Sequence, residues 1–499
     1  DEEHLNWETA WDITQRCCAY TNHTLLPEAL ERWPVAMFEH LLPRHLSIIY
    51  EINSRFLDAV HIFAPHEPQL QAELSLIEEG HQKQVRMAHL AVVGSHSVNG
   101  VAKLHSELIT SHLMKGFARL YPDRFNNKTN GVTPRRWLLH ANPQLSALIG
   151  RRLSGDWTRD LDRLRELQTR ASDDALLEEL GEVKRHNKTL LASIIRDATG
   201  ERVDTRALFI AHVKRIHEYK RQLLTCLQII ALYRRIKDNP NVDFAPRLFI
   251  LAGKAAPGYA MAKLHIKLLN DVARLISRDP TVRGRLKAVF LPNYRVSLAE
   301  RIIPACDLSL QISLAGMEAS GTSNMKFAMN GALTMGTLDG ANIEILEQVG
   351  SDHFFAFGLT AEEVARERAA GHHPLAHIAR SEPLRGAIEA IEAGLSTRGD
   401  RDRFSAVTSG LRHHDHYLTC ADFDAFMASH DLAVARFANP REWQRSALIN
   451  IANVGPFSSD RTVRQYAEEI WRVDPISVRG LDVWAKSPSE RARGAEEAK

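Results

Sequence analysis

The sequence predicts an α/β fold built around a doubly wound parallel sheet, in which helices cover both faces of the strands. In the middle of the chain, short and almost entirely apolar runs alternate with longer helical stretches. Strands buried on both faces of a parallel sheet are apolar throughout, whereas strands with one exposed face alternate apolar and polar residues. The chain has 499 residues, of which 44% are hydrophobic, and this suffices for two or three domains with large cores.

The predicted elements follow in order along the chain. Helical periodicity dominates from Glu8 to about Leu120, and the stretch AVVGSHSVNG interrupts it like a strand that leads into a loop. Two polar amphipathic helices are predicted at 157–168 and 174–196. Beyond Gly358 the chain is again mostly helical. Between these regions, strands that alternate with helices are predicted in RALFIAHV, RLFILAGKAAPGY, LKAVFLPN, DLSLQIS and GALTMGTLDGANIEI.

The charge balance and the cysteines exclude several classes of protein. The formal net charge is +2 and 25% of the residues are charged, so no strong field points to nucleic acid or a membrane surface as the partner. The five cysteines form an odd set without CxxC spacing, which is typical of reduced thiols. The first residues lack the pattern of a signal peptide, and no apolar run approaches transmembrane length. These features predict a soluble cytoplasmic protein.

The loop after the first strand of the alternating region is rich in cations. It carries Lys214, Arg215, Lys220 and Arg221 around Tyr219, where a helix is expected to begin. A helix start normally favours acidic residues, because the macrodipole already makes that end positive. Cations collected there indicate a bound anion with several oxygens, such as phosphate. The alternative is a solvated basic helix face.

The stretch EASGTSNMKFAMNGA, 318–332, places Lys326 in the first turn of another predicted helix. Ser320, Gly321 and Thr322 offer hydroxyl and amide groups at the start of that helix, which suits a phosphate group. Lys326 itself is flanked by residues that normally pack a core, and a partly desolvated amine is available to form a Schiff base. Together these features suggest a phosphate-bearing aldehyde cofactor, pyridoxal phosphate. The alternative is a lysine that reaches water from the edge of a core helix.

Three further loops give weaker signals. The glycines of GKAAPGY, 253–259, let backbone approach a ligand closely, although an ordinary tight turn explains them equally well. Asn22 and His23 precede a predicted helix, and Asn130 lies in the polar loop NNKTNGVTPRRW. Amides and imidazoles bind sugar hydroxyls as donors and acceptors. Capping and turn formation are the alternatives for both asparagines.

Two tempting patterns do not predict a site. The histidines of HHDH, 413–416, and of GHHP, around His372 and His373, fall in polar connecting segments without evident partner ligands, so we expect solvated loops and no metal. Glu318 is one candidate for a glycosidase carboxylate pair, but no second carboxylate suits the role. Ordinary hydrolysis is therefore disfavoured.

Six stretches together closely resemble the alpha-glucan phosphorylases, the family of glycogen, maltodextrin and starch phosphorylases. The resemblance extends to about Trp471, and the motifs occur in the order of the family. It implies a glycosyltransferase-B fold with two Rossmann-like domains and the active site between them. The stretches are YTNHTLLPEALERWP, KTNGVTPRRWL, KRIHEYKRQLL, GKAAPGY, NYRVSLAERIIPA and EASGTSNMKFAMNGALTMGTLDGANIEI.

The resemblance also implies an activity and roles for individual residues. The expected reaction is reversible phosphorolysis of a terminal alpha-1,4-linked glucose by inorganic phosphate, which releases glucose 1-phosphate with retained configuration. The lysine that matches Lys326 carries pyridoxal phosphate, and the phosphate of that cofactor shuttles the proton. The resemblance implies that Arg215 and Lys220 bind the substrate phosphate, and that Tyr219 lies near both substrates. It implies that the backbone at His23 faces the positive charge that develops on the sugar. The other implied sites are the cofactor phosphate site, with Lys214, Gly321 and Thr322; the cofactor pocket, with Tyr294, Arg295, Arg136 and Trp137; and the glucose site, with Asn22, His23, Asn130, Glu318 and Ser320.

Known members of the family begin with several hundred more residues. The predicted organisation is therefore a truncated first domain at 1–126, a domain that binds pyridoxal phosphate at 127–460, and a helix with a polar tail at 461–499, in a protein that is dimeric at full length. Two other functions stay open. One is an inactive fragment that binds glucan or associates with full-length subunits, and the other is a sugar-nucleotide glycosyltransferase, which would leave Lys326 without a cofactor.

Overall fold

Twelve strands form three sheets in the part of the chain that the computed structural model describes, residues 3–282, 284–395 and 399–474. The strands are β1 (Ala19–Thr21), β2 (Arg32–Pro34), β3 (Ile77–Glu78), β4 (Gln84–Arg86), β5 (Ser97–Gly100), β6 (Phe125–Asn127), β7 (Leu208–Val213), β8 (Arg247–Ala252), β9 (Leu286–Leu291), β10 (Leu308–Gln311), β11 (Leu333–Gly336) and β12 (Phe354–Ala356).

Helices surround these sheets. Those before β7 are α1 (Trp7–Cys17), α2 (Val35–Leu41), α3 (Pro43–Phe63), α4 (Pro68–Leu74), α5 (Met87–Val93), α6 (Lys103–Leu108), α7 (Lys115–Leu120), α8 (Pro143–Arg152) and α9 (Asp174–Thr199). Those after β7 are α10 (Gln222–Asp238), α11 (Ala260–Arg278), α12 (Val296–Ala305), α13 (Ser323–Met329), α14 (Ala341–Val349), α15 (Ala361–Ala369), α16 (Pro374–Arg380), α17 (Glu382–Glu392), α18 (Ser405–His413), α19 (Thr419–Phe437), α20 (Pro440–Ala452) and α21 (Ser459–Gln465). Among the residues described, none of these helices combines the length and the apolar character needed to cross a bilayer.

The largest sheet has six strands in the order β12-β11-β10-β7-β8-β9, and all neighbours are parallel. The chain runs outward from β7 to β9 on one side, then returns to β10 and runs outward to β12 on the other. β7 and β10 therefore flank the point where the strand order reverses. In open α/β sheets, ligands bind beyond the carboxyl ends of the strands at such a point. The predicted α/β class and its doubly wound parallel sheet are confirmed.

The apolar runs of the alternating region are strands, as predicted. Every residue of β7, β8, β10 and β11 is buried, as expected for strands covered on both faces, and this includes the polar residues Ser309 and Gln311 of β10. β12 was not predicted, because it is only three residues long and one of them is exposed. Its pairing with β11 comes from tertiary context rather than from local pattern.

The first 130 residues contain more strand than the helical periodicity indicates. β1, β5 and β6 form a parallel sheet, and β2, β4 and β3 form an antiparallel one. None of these strands exceeds four residues, which is too short for a period of two to stand out. The break in AVVGSHSVNG is confirmed, but its apolar residues end helix α5 and the strand begins only at Ser97.

One predicted helix is of a different type. The segment predicted as an amphipathic α-helix at 157–168 is a 3₁₀-helix over Leu161–Arg170. Leu161, Leu164 and Leu167 are spaced by three residues and are all buried. A helix with three residues per turn places such a row on one face. The second predicted helix, at 174–196, is confirmed as α9.

The end of the described chain returns to the first sheet. After α21, a π-helical turn at Tyr466–Trp471 brings the Tyr466 hydroxyl to the side-chain amide of Asn99 on β5, at 2.8 Å. A short parallel bridge between Val132 and Ser458 supports the same approach. The predicted segment at 461–499 thus starts as a helix that packs on the first part of the chain, and its residues 475–499 lie outside the described residues.

Candidate active site

Two loops meet where the strand order reverses. The basic loop, residues 214–221, follows β7, and a second loop, residues 312–322, follows β10 and leads into α13. Because β7 and β10 are parallel neighbours, both loops leave the same edge of the sheet. The backbone N–H of Leu314 donates to the carbonyl of Tyr219 at 3.0 Å. The two segments that carry most of the predicted site residues are therefore joined directly.

Glu318 lies between two lysines of the basic loop. The Lys220 ammonium donates to its Oε2 at 2.6 Å, and the Lys214 ammonium lies 3.5 Å from the same oxygen. The hydroxyl of Ser313 donates to this oxygen at 3.1 Å. All three charged side chains are largely buried, with exposed fractions of 17% for Glu318, 13% for Lys220 and 9% for Lys214. The pocket thus holds one negative charge against two positive charges, away from bulk water.

The pKa values in this cluster reflect that imbalance. Burial alone would raise the pKa of Glu318, but Lys214 and Lys220 outweigh it and lower the pKa to about 2. Burial opposes the charge of Lys220, yet Glu318 raises its pKa overall. Burial lowers the pKa of Lys214, and Glu318 only partly offsets this effect. A second anion placed beside Lys214 would therefore be stabilised strongly, because it would complete the charge balance of a poorly solvated site.

Arg221 does not belong to the anion site, contrary to the expectation from the cation cluster. It is fully buried and pairs with Asp422 at 2.6 Å, while its Nε donates to the carbonyl of Ile312 at 2.7 Å. Its backbone adopts a left-handed conformation with φ of 55°, which is costly for a residue with a Cβ. Arg221 thus fixes the loop after β10 against the basic loop. Arg215 is exposed beside it and free to face solvent or a ligand.

The GKAAPGY loop supports the basic loop rather than offering a ligand surface of its own. A Cβ on Gly253 would lie 2.2 Å from the carbonyl oxygen of Lys214. Only glycine permits this approach. The second glycine, Gly258, has nothing within 4 Å of such a Cβ, so it fits the alternative of an ordinary turn. The hydroxyl of Tyr259 donates to Glu218 at 2.6 Å and closes the other side of the loop.

Lys326 lies on the predicted helix, as the fourth of the seven residues of α13, with its ammonium 4.1 Å from the centre of the Trp137 ring. Within the described residues, that ammonium forms no hydrogen bond or ion pair. Burial lowers its pKa. A ligand that paired with this amine would offset the cost of its partial burial, so Lys326 fits the chemical interpretation, and the interpretation as a lysine that reaches water stays open.

A buried amide network positions Lys326 and Trp137 relative to each other. The Asn330 amide donates to the carbonyl of Trp137 at 2.8 Å and to the carbonyl of Lys326 at 2.9 Å. The ammonium of Lys184, which is buried, donates to the carbonyl of Asn330 at 3.0 Å. Sequence reasoning missed Lys184 and Asn330 as supporting residues, because nothing local distinguishes them from other polar residues on helices.

The loop before α13 presents unpaired backbone donors. Gly321 has φ of 74°, a conformation suited to glycine. The backbone N–H groups of Gly321 and Thr322 donate no hydrogen bond within the described residues. Ser320 is buried, and its hydroxyl donates to the carbonyl of Gly321 at 2.9 Å. Gly321 and Thr322 therefore have the donors that the predicted phosphate cradle requires, whereas the hydroxyl of Ser320 is already engaged.

A family model for carbohydrate phosphorylases matches residues 1–473. The chain belongs to this family. It is 48% identical to the muscle form of glycogen phosphorylase from Bos taurus over 96% of the chain and 57% of that protein. It is also 50% identical to glycogen phosphorylases from Pasteurella multocida and from Synechocystis, over 95% and 96% of the chain and 58% and 56% of those proteins. The chain spans a little over half the length of these relatives.

Asp339 shapes the loop of residues 312–322, which carries Glu318 and is called the Glu318 loop below, and it was missed in the sequence. Its buried carboxylate accepts hydrogen bonds from the backbone N–H groups of Gly316, Met317 and Glu318 at 3.0, 3.3 and 2.8 Å. These bonds hold the loop that aims Glu318 at the two lysines. The signal was the Asp-Gly pair of TMGTLDG directly before α14, which is typical of a tight connection with side-chain to backbone bonds.

Three residues of the expected cofactor pocket have other surroundings in the phosphorylase fold. Arg136 is exposed and donates to Glu300 at 2.5 Å. Arg295 is exposed and donates to the carbonyl of Asn293. Tyr294 packs against the main core, and burial raises the pKa of its hydroxyl. Of the residues expected in this pocket, only Trp137 directly contacts Lys326 through its ring.

The expected sugar-binding residues differ in exposure. Asn22 is fully buried, and its side chain accepts from the backbone of Thr24 at 3.0 Å and contacts Nε2 of His105 at 3.0 Å. This arrangement favours the structural alternative for Asn22. His23 is exposed at the end of β1, and Asn130 is half-buried, with its backbone N–H bonded to Val101. His23 and Asn130 therefore retain side chains that can reach a ligand.

The expectation that the GHHP and HHDH histidines all lie in solvated loops is wrong for His372. Its side chain is only 8% exposed and lies between the carboxylates of Glu367 and Asp415, each 3.0 Å away. His372 lies in the connection between α15 and α16, and Asp415 reaches it from the segment between α18 and α19, a contact that the sequence spacing could not reveal. His373, His413, His414 and His416 are exposed, as expected.

Proposed function

We propose that this chain carries the catalytic centre of an alpha-glucan phosphorylase. The reaction is reversible phosphorolysis of a terminal alpha-1,4-linked glucose by inorganic phosphate, with glucose 1-phosphate as the product. The observation that carries this proposal is Lys326, a half-buried lysine against Trp137 without a polar partner, next to a loop with free backbone donors. The relatives named glycogen phosphorylase support the same substrates.

The residues fit pyridoxal phosphate as the group bound at Lys326. An amine of lowered pKa, an indole ring beside it and free N–H groups at Gly321 and Thr322 match the aldehyde, the ring and the phosphate of that cofactor. When bound, this cofactor supplies a phosphate group that exchanges a proton with the substrate phosphate. Lys326 and Trp137 would hold the cofactor, and Asn330 fixes these two residues relative to each other by donating to both of their carbonyl groups.

The basic loop holds the substrate phosphate in this proposal. Lys220 and exposed Arg215 supply positive charge for the substrate phosphate, and Lys214, which is largely buried like Lys220, supplies it for the phosphate of the cofactor. Two phosphate groups in contact repel each other in a poorly solvated cleft, so cations must outnumber the protein's own carboxylates there. The excess of two lysines over one glutamate meets this requirement.

Glu318 has a double role in the proposed site. Without ligand, its carboxylate satisfies Lys214 and Lys220 and prevents two buried cations from facing each other unpaired. With substrate, its second oxygen is available to accept a hydrogen bond from a glucose hydroxyl. His23 and Asn130 complete the sugar side, together with the backbone around His23.

Assembly and location follow from the family resemblance and the cysteines. We expect a homodimer in the full-length form and a cytoplasmic protein. All five cysteines are free thiols, and three of them are buried, which supports a reducing compartment.

The test is an assay of glucose 1-phosphate from maltodextrin and inorganic phosphate after incubation with pyridoxal phosphate. We expect activity that depends on the cofactor and is abolished in Lys326→Ala. The control is Lys263→Ala, which removes an exposed lysine of α11 remote from the basic loop in sequence. A protein that carries the cofactor but releases no glucose 1-phosphate would overturn the proposal in favour of a binding fragment without turnover.

A further inference from the structure

Three ligand-type side chains converge at the end of α15, outside the proposed active site. Nδ1 of His372 lies 3.0 Å from Oε1 of Glu367, and Nε2 of His377 lies 3.2 Å from the same oxygen. The three ligand atoms all lie within 4.8 Å of one another. Glu367 comes from the last turn of α15, His372 from the connection, and His377 from α16.

The spacing is close to that of a zinc site. Bonds of about 2.0–2.2 Å in tetrahedral geometry place neighbouring ligand atoms roughly 3.4 Å apart. The two measured separations from Oε1 of Glu367 are 3.0 and 3.2 Å. An ion would require these two separations to grow by only a few tenths of an ångström, and the two histidine nitrogens lie within 4.8 Å of each other. Two imidazole nitrogens and one carboxylate oxygen form a donor set that Zn²⁺ favours over Ca²⁺ or Mg²⁺.

The other nitrogen of His372 has the partner expected of a metal-ligating histidine. Its Nε2 lies 3.0 Å from Oδ2 of Asp415, whose side chain is 2% exposed. Asp415 is itself fixed, because it accepts from the backbone N–H groups of Thr419 and Cys420, both at 2.9 Å. Metal-binding histidines usually donate their second N–H to such a carboxylate, which sets the tautomer and the ring orientation. Asp415 would thus leave Nδ1 of His372 as the metal-binding nitrogen.

The site is accessible on its other side. The side chains of Glu367 and His377 are 33% and 28% exposed, whereas that of His372 is 8% exposed. An ion can enter from solvent, and one coordination position stays open to water. From this convergence we propose that Glu367, His372 and His377 form a binding site for a divalent transition-metal ion of the Zn²⁺ type, with Asp415 orienting His372.

The position of the site indicates a structural role. The ion would connect α15 and α16 to the loop before α19. That loop continues into Tyr417 and Leu418, which pack with Val364 of α15 against Leu314 and Ala315 in the first part of the Glu318 loop. A metal bound at this site would therefore stiffen the layer behind the candidate active site without touching the ligand pocket. The inference does not depend on the proposed function.

Calorimetric titration of the chelator-treated protein with Zn²⁺ tests the site. Because Cys17 and Cys18 are exposed thiols that also attract Zn²⁺, the titration uses the Cys17→Ser, Cys18→Ser variant as its background. We expect one equivalent to bind and to raise Tm. In both His377→Ala and Glu367→Gln, the affinity for Zn²⁺ should fall steeply, because each variant removes a metal ligand. The loss should exceed the roughly 10- to 100-fold that is typical when a residue that only orients a ligand is removed.

The matched control is His373→Ala, which removes an exposed imidazole beside His372 and should leave the affinity unchanged. Circular dichroism establishes that each variant is folded before titration. Absence of Zn²⁺ binding in the background protein would overturn the proposal. Equal affinity in the background protein, in His377→Ala and in Glu367→Gln would overturn it as well, because the ion would then bind elsewhere.

Discussion

At the scale of single residues, Glu318 is the point on which the charge balance of the site depends. It is the acidic side chain that pairs with Lys214 and Lys220, and the two lysines reach it from a neighbouring strand of the sheet. A carboxylate in this position resembles the phosphate oxygens that the proposed substrate would bring. The protein therefore already stabilises one anion at the position where the proposed reaction would bring further negative charge.

Replacing this carboxylate with an amide should have two opposite effects. In Glu318→Gln we expect the free energy of unfolding to fall by roughly 1–3 kcal/mol, since two largely buried ammonium groups lose their counter-charge. Inorganic phosphate should raise Tm more in this variant than in the wild type, because it no longer competes with a carboxylate. Thermal unfolding with and without phosphate measures both effects.

Glu300→Gln is the control, since Glu300 pairs with the exposed guanidinium of Arg136. Its stability should change by no more than about 0.5 kcal/mol. An unchanged stability in Glu318→Gln would contradict the charge balance described above.

The stabilising effect of Glu318 should also depend on pH with a defined sign. Its pKa in the folded protein is lowered to about 2, below the value of about 4.3 in an unfolded chain. The stability difference between the wild type and Glu318→Gln should therefore be constant above about pH 5 and shrink as the pH falls toward about 2. Urea unfolding at a series of pH values measures it, and a difference that grew on acidification would have the wrong sign.

At the scale of elements, the residues directly before α14 contact the Glu318 loop and hold it in place. Gly340 has φ of 50°, and a Cβ there would lie 2.7 Å from the carbonyl oxygen of Ser320 and 2.8 Å from that of Glu318. Asp339, directly before it, binds the backbone of the same loop. The Asp-Gly pair thus holds a segment that has no regular secondary structure of its own.

Gly340→Ala should displace this loop, and Gly350→Ala provides a matched control. Both glycines have positive φ values, so both substitutions add backbone strain, but a Cβ on Gly350 meets nothing within 4 Å. We expect phosphate to bind about tenfold or more weakly to Gly340→Ala and within about twofold of the wild type to Gly350→Ala. Calorimetric titration with phosphate measures the ratio. Equal losses in the two variants would mean that strain alone, and not contact with the loop, is responsible.

The strands that are buried on both faces could be predicted from the sequence, and the short strands that depend on pairing with distant residues could not. β7 and β8 were evident because double burial favours runs that are almost entirely apolar. β1 and β6 were not, because strands of three residues carry no period and are defined only by their pairing.

The same distinction applies to the site. Lys326, Lys214 and Lys220 were found because cations and glycines at the start of helices are unusual for their local context. Arg221 was assigned to the wrong cluster, since its partner Asp422 lies 201 positions away in the sequence. Asp339 and Asn330 act through backbone bonds that the sequence does not encode locally.

At the scale of the whole molecule, Glu344 of α14 joins the first part of the chain to the large sheet. Its carboxylate accepts from the hydroxyl of Thr129 at 2.6 Å and from the backbone N–H of Lys103 at 3.2 Å. Lys103 follows β5 and Thr129 follows β6, so both partners belong to the first part of the chain. Helix α14 begins directly after Gly340, which lies against the Glu318 loop. The hydrogen bonds of Glu344 therefore connect the sugar side of the proposed site to its phosphate side.

Loss of that contact should weaken the connection. Glu344→Ala leaves two partly buried donors without an acceptor, and we expect the free energy of unfolding to fall by roughly 1–3 kcal/mol. Glu347→Ala on the same helix removes only an exposed pair with the ammonium of Lys103 and should cost less than about 1 kcal/mol. Urea unfolding of the two variants makes the comparison. Equal effects would mean that Glu344 has no special role in joining the two parts.

The most direct test of the account concerns Lys326. The protein is incubated with pyridoxal phosphate, reduced with borohydride, digested and analysed by mass spectrometry, beside the Lys326→Ala variant. The account predicts a pyridoxyl adduct confined to Lys326, whose amine has a lowered pKa and no competing partner, and its absence from the variant. No adduct, or labels spread over exposed lysines at equal levels in both proteins, would contradict it.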